Sequence, residues 1–168
     1  MQSDYVSSQV TFQPPVLIGC TVKGKKLDAR ILAECSDDFG FGFEVAFSDG
    51  THFITMDNDL TDRLAITNPA HQAYLDAIND DLQCLMFVRN TNWYMFEISH
   101  EKPLRVWVSE SEEPDYRFSV YYNAEYHFSI DEKNGQWCEK NILTTDPKVF
   151  DKSIAEKVTR ELQLKINL

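Results

Sequence analysis

A chain of 168 residues makes one domain or two small ones packed together, and its 43% apolar and 12% aromatic content is enough for a real core. Twenty-seven acidic against 16 basic residues leave a net charge of −11, which repels phosphates and so disfavours nucleic acid and anionic membrane as partners. No apolar run approaches the length of a membrane span.

The N-terminus, MQSDYVSSQ, lacks the basic-then-apolar order of a signal peptide, and a soluble, cytoplasmic protein is expected. A secreted protein after removal of its signal would read the same. Cys20, Cys35, Cys84 and Cys138 form no CxxC pair and stand at no zinc-finger spacing from a histidine. Reduced, mostly buried thiols are expected.

In chain order, residues 1–15 are polar, end in Pro14-Pro15, and read as an N-terminal arm with a short edge strand at 10–12. Residues 16–22 are apolar and β-branched, Lys23-Gly24 is a turn, and 27–34 is a second strand. Ser36-Asp37-Asp38 turns the chain into a hairpin over 41–55. A short strand is expected near 64–66. Asn68-Pro69 then starts a helix, Asn as cap and Pro in the first turn. Ala70, Tyr74, Ala77 and Ile78 share its apolar stripe, and the acidic Asp80-Asp81 marks its expected end. Residues 82–88 fit a strand or a helix. Strands follow over 93–99, 104–108, 116–122 and 126–130. Asn134-Gly135 is a hairpin signal, which predicts another strand over 137–142. Asp146-Pro147 repeats the earlier helix start. Phe150, Ile154, Val158 and Leu162 lie four apart on a helix ending near Leu164.

The hairpin at 41–55, FGFEVAFSDGTHFIT, is matched 75 residues later by YRFSVYYNAEYHFSI. Phe43 aligns with Phe118, Val45 with Val120, Phe47 with Tyr122, His52 with His127 and Phe53 with Phe128. Upstream, Arg30 aligns with Arg105, Ile31 with Val106, and Asp37-Asp38 with Glu112-Glu113. A two-residue turn at Asp49-Gly50 would split the large apolar residues between two faces. Three-residue loops at 48–50 and 123–125 keep them on one face, with Gly50 left-handed. The predicted fold class is therefore α+β: two similar units, each an antiparallel β-meander followed by an α-helix, produced by internal duplication. The units span 16–81 and 82–168. One continuous sheet and two stacked halves both satisfy the pattern. Two alternating hairpins can also share such a pattern by chance.

Chemical signatures are sparse. There is no G-x-S-x-G, H-E-x-x-H or phosphate-loop motif, and Val45 stands where a dinucleotide loop opened by Gly40 and Gly42 needs its third glycine. Asp57, Asp59 and Asp62 resemble a calcium loop, but Asp62 and Asn68 occupy the positions that need glycine and glutamate. His52 and His127 are expected on the outer strand face without a third ligand. No catalytic residue, metal or cofactor is assigned.

One feature stands out. Alternation sends Trp93, Met95, Arg105, Trp107, Arg117, Tyr121 and His127 to the outer face of the second unit. The matching face of the first unit is smaller and more acidic. The aromatic face is read as a packed interface, within the chain or in a homodimer, or as a docking site for a protein partner. The expected function is a non-catalytic binding, adaptor or chaperone-like protein. The alternative is a small-molecule binder or enzyme with a cleft between the halves, where Arg30, Arg105 and the histidines meet an anion.

Overall fold

The computed structural model describes residues 8–38, 40–57, 64–111, 116–140 and 151–166. They form an α+β fold of two antiparallel five-stranded sheets, each followed by a helix. The first sheet comprises β1 (Ser8–Val22), β2 (Lys25–Asp37), β3 (Gly40–Phe47), β4 (His52–Asp57) and β5 (Leu64–Ala65). A 3-10 turn, Pro69–His71, leads into α1 (Gln72–Val88). The second sheet comprises β6 (Trp93–Ile98), β7 (Leu104–Glu110), β8 (Phe118–Tyr122), β9 (Glu125–Lys133) and β10 (Gln136–Lys140), followed by α2 (Lys152–Ile166). Each sheet is a meander whose neighbours in sequence are neighbours in space. The chain divides into two compact units, 1–79 and 80–168, and the division falls inside α1.

In the first unit, Lys23 and Gly24 both take positive φ, so a two-residue turn joins β1 to β2. The strand β1 starts at Ser8, earlier than the short edge strand expected inside the polar arm. Ser8 to Thr11 pair with Ser36 to Ala33, and pairing resumes at Val16↔Ile31. Pro14 and Pro15, which have no N–H to give the ladder, lie in the interruption. Ile18, Ala29, Ile31, Phe43 and Val45 alternate inward and are fully buried. The first hairpin has the expected three-residue loop: Phe47 N–H donates to the Thr51 carbonyl at 2.7 Å, Val45 faces Phe53, and Gly50 has φ +94°. Gly42 is a close-approach position, where a Cβ would overlap the carbonyl oxygen of Thr55.

Asn68 caps as expected, its side-chain oxygen accepting from Ala70 N–H at 3.0 Å. Tyr74 then meets Phe47 edge-on at 4.9 Å, and His71 stacks on Phe53 at 5.0 Å. The expected helix end near Asp80-Asp81 is wrong. α1 continues to Val88, with Leu75, Ile78, Leu82 and Leu85 as its buried stripe, while Ala70 is exposed. No glycine or proline interrupts 72–88, and Asp81 is neutralised by tertiary partners invisible in the local sequence.

In the second unit, Phe96, Val106, Val108, Phe118, Val120, Phe128 and Ile130 pack one sheet face against Ile154, Ala155, Val158 and Leu162 of α2. Asn134 and Gly135 have positive φ in the turn before β10. Asp146-Pro147 lies outside the described residues. α2 is described from Lys152 and capped by Asp151, whose side-chain oxygen accepts from Ile154 N–H at 3.1 Å.

The repeat holds in topology and in its hairpin, and departs elsewhere. Val45↔Phe53 and Phe43↔Thr55 recur 75 residues later as Val120↔Phe128 and Phe118↔Ile130. The second loop, however, has only two residues. Asn123 and Ala124 both take positive φ, Tyr122 faces Glu125, and Tyr121 faces Tyr126. A bulge beside His127 takes up the extra residue, which is why the core register beyond it survives. The preceding strand is also displaced. Ala46 faces Arg30, but its counterpart Tyr121 faces Trp107. Arg30 and Arg105 therefore do not occupy equivalent places.

Candidate functional site: the outer face of the second sheet

Strand alternation puts Met95 opposite Trp107, Trp107 opposite Tyr121, and Ser109 opposite Ser119 on the face away from α2. Trp93 packs on Trp107 with ring centroids 5.6 Å apart. Trp93, Met95, Arg105, Trp107 and Tyr121 are thus brought together as the alternation requires.

This face is covered within its own unit by residues 80–88 of α1. Asp81 reaches down to it. One carboxylate oxygen accepts from the Trp107 indole N–H at 3.0 Å, and the other accepts from the Arg105 guanidinium at 2.7 Å. Glu97 stands 4.0 Å from the other side of that guanidinium. Phe87 lies parallel on Tyr121, centroids 5.0 Å apart. Trp107 is consequently fully buried. Burial pushes the Asp81 carboxyl above its usual range, opposed by the Arg105 charge and the Trp107 hydrogen bond. Burial also pushes the Cys84 thiol, on the same stretch of α1, up to about 12. Burial thus favours the neutral thiol at Cys84, and the Cys35 thiol is likewise shifted upward by burial.

Two residues expected on this face are elsewhere. The bulge turns His127 from it: the imidazole stacks on Tyr122 at 3.4 Å, Nε2 lies 2.8 Å from the Tyr122 carbonyl, and burial pushes its pKa down. Tyr126 takes the expected place, edge-on to Tyr121 at 5.9 Å. Arg117 precedes β8 and lies 4.9 Å over the core ring of Phe118, bound to Glu132 at 3.2 Å and near Glu110 at 3.8 Å. In the first unit, His52 stays exposed beside Glu44 at 3.6 Å.

Beyond Tyr121 the helix ends and the face opens. A groove of about 890 Å³ lies there, lined by Phe87, Asn90, Asn92, Ser109, Ser119 and Tyr121 among others. Its two charged members among the described residues are already engaged. Arg89 donates to the Met86 carbonyl at 2.7 Å, and Glu110 faces Arg117. Phe87 is 51% exposed at its rim. Phe87, Ser109 and Ser119 carry little signal in the sequence. For Phe87 it is only the helical spacing that continues past Asp81, and small hydroxyl residues on a strand have no distinctive pattern.

Among the described residues no group of three histidine, cysteine or acidic side chains is placed to hold a metal ion. The Asp59 and Asp62 of the calcium-like loop, and Glu112-Glu113, lie outside the described residues. No described helix is long and apolar enough to cross a membrane. No family model, no curated protein and no solved structure matches this chain.

Proposed function

We propose that this chain is a non-catalytic binding module that receives its ligand in the groove at the open end of the second sheet's outer face. The observation that carries this reading is the Phe87–Tyr121 pair: an exposed phenylalanine held parallel on a tyrosine at the mouth of a groove of about 890 Å³. That volume lies within the roughly 300–1,000 Å³ common for ligand sites. Beside one charge of each sign, the lining offers hydroxyls, amides and the rings of Phe87, Tyr116 and Tyr121, groups that recognise and orient. Among the described residues neither histidine nor cysteine lines this groove, and its one carboxylate, Glu110, faces the Arg117 guanidinium at 3.8 Å. A docking role for a protein partner or a second copy rests on Phe87, because Trp107 is covered by α1.

A compound library screened by thermal shift tests the reading. A ligand present at a hundred times its dissociation constant adds about 2.7 kcal/mol, which is several degrees for a chain of this size. At least one compound should raise the melting temperature of the wild type and lose that effect in Phe87→Asp. Hits that stabilise both proteins equally would place binding elsewhere and overturn the proposal.

A further inference from the structure

We infer that the groove takes a neutral, polyhydroxylated ligand, a saccharide. The inference rests on the groove being the binding site and adds its chemistry. Ser109 and Ser119 face each other across β7 and β8, each only 6% exposed. Both residues line the groove, and neither hydroxyl oxygen is a buried atom sealed off without a partner. Each hydroxyl both donates and accepts, and a ligand that displaced water from it would have to replace both bonds. A sugar hydroxyl has the same dual capacity, so adjacent serine hydroxyls match adjacent ligand hydroxyls.

The amides of Asn90 and Asn92 extend the match. Each offers donors beside an acceptor, the combination that brackets a vicinal diol. Phe87 supplies the apolar half. Its ring is fixed by Tyr121 at an interplanar angle of 11°, and Tyr121 is itself buttressed edge-on by Tyr126. The exposed side of Phe87 is therefore a preset flat platform. The negative face of an aromatic ring attracts the weakly positive C–H groups that line one side of a pyranose.

Charge excludes the nearest competitors. Arg89 and Glu110 are the groove's charged residues among those described, one of each sign, and each is engaged by the protein. The chain's charge of −11 repels phosphorylated sugars and nucleotides. A purely apolar ligand would leave the serines and asparagines desolvated and unpaired.

Amide NMR spectra of the full chain, titrated with maltotriose, cellotriose, chitotriose and mannotriose into the millimolar range, test this. At least one sugar should shift the amides of Asn90, Asn92, Ser109 and Ser119 saturably. Phe87→Ala should weaken that sugar at least about tenfold, equivalent to about 1.4 kcal/mol, and Phe87→Tyr should retain it. Ser119→Ala is a second, smaller reduction that keeps the sheet intact and should also weaken binding. Sugars that leave these amides unmoved, or that bind equally to Phe87→Ala and Ser119→Ala, would overturn the inference. A neutral tripeptide or a nucleoside that fills the groove when no sugar does would overturn the sugar assignment and leave the binding site standing. A groove untouched by sugars, peptide, nucleoside and the compound library would remove both.

Discussion

The indole N–H of Trp107 donates to the carboxylate of Asp81 at 3.0 Å, joining β7 on the second sheet's outer face to the middle of α1. The same carboxylate holds Arg105 at 2.7 Å. The aromatic face is thus shielded by a helix the alternation pattern alone would not place there. Trp107→Ala should lower stability by about 3–5 kcal/mol, as for other fully buried aromatics. Trp107→Phe keeps most of the packing and should cost less, although it leaves one Asp81 oxygen without its donor. Urea unfolding midpoints measure both. A Trp107→Ala protein as stable as the wild type would mean that α1 does not cover this face.

Asp81 makes a pH prediction. Its folded-state pKa is raised above 3.8, with burial as the largest cause. The folded protein therefore holds that proton more tightly than the unfolded chain. This contribution is fully present below pH 3.8 and is lost as pH rises through the higher folded value. Relative to Asp81→Asn, the wild type should lose stability across that rise and run parallel to the variant above it. Denaturant titrations of both proteins at a series of acidic to neutral pH values would show the divergence. Parallel curves throughout would refute the raised pKa.

Ala124 sits at φ 65°, in a turn where its neighbour Asn123 is at φ 50°. A left-handed alanine is strained by roughly 1–2 kcal/mol, and glycine is not. Glycine also loses more freedom on folding, which offsets part of the gain. Ala124→Gly should stabilise the protein by about 0.5–1 kcal/mol, read as a higher unfolding midpoint. A lower midpoint would show that the alanine side chain contributes packing that outweighs the strain.

The helix starts can be tested in pairs. Asn68→Ala and Asp151→Ala each remove the side-chain acceptor of one orphan N–H, from Ala70 and Ile154 respectively. Each should cost about 1 kcal/mol. Asp146→Ala is the control for the second helix, because the local Asp-Pro pattern nominates it whereas the observed cap is Asp151. A larger effect at Asp146 than at Asp151 would move the functional start of α2 upstream.

Several features are legible in the amino-acid order alone because they depend on short-range physics. Alternation of large apolar residues determined the first hairpin's loop, since only three residues there keep Val45 and Phe53 on one side. Asn68 before Pro69 determined a helix start. The fourfold spacing of Ile154, Val158 and Leu162 determined the buried face of α2, while Phe150, the first residue of that series, lies outside the described residues. Repetition of strands then helix determined the α+β class and the two units.

Tertiary structure decided what local patterns leave degenerate. Asp80-Asp81 reads as a stop in isolation. The helix continues because Arg105 and Trp107 compensate Asp81 from 24 and 26 residues away. The turn at Asn123-Ala124 was hidden because a two-residue loop plus a bulge and a three-residue loop give the same core register. That degeneracy is why His127 was expected on the wrong side. The aromatic outer face was legible as a set of residues, but its cover was not, because a sequence period reports which side a residue faces and not what packs against that side. The groove is the extreme case. Phe87, Ser109 and Ser119 belong to three separate elements, and only the end of α1 over β7 and β8 makes them neighbours.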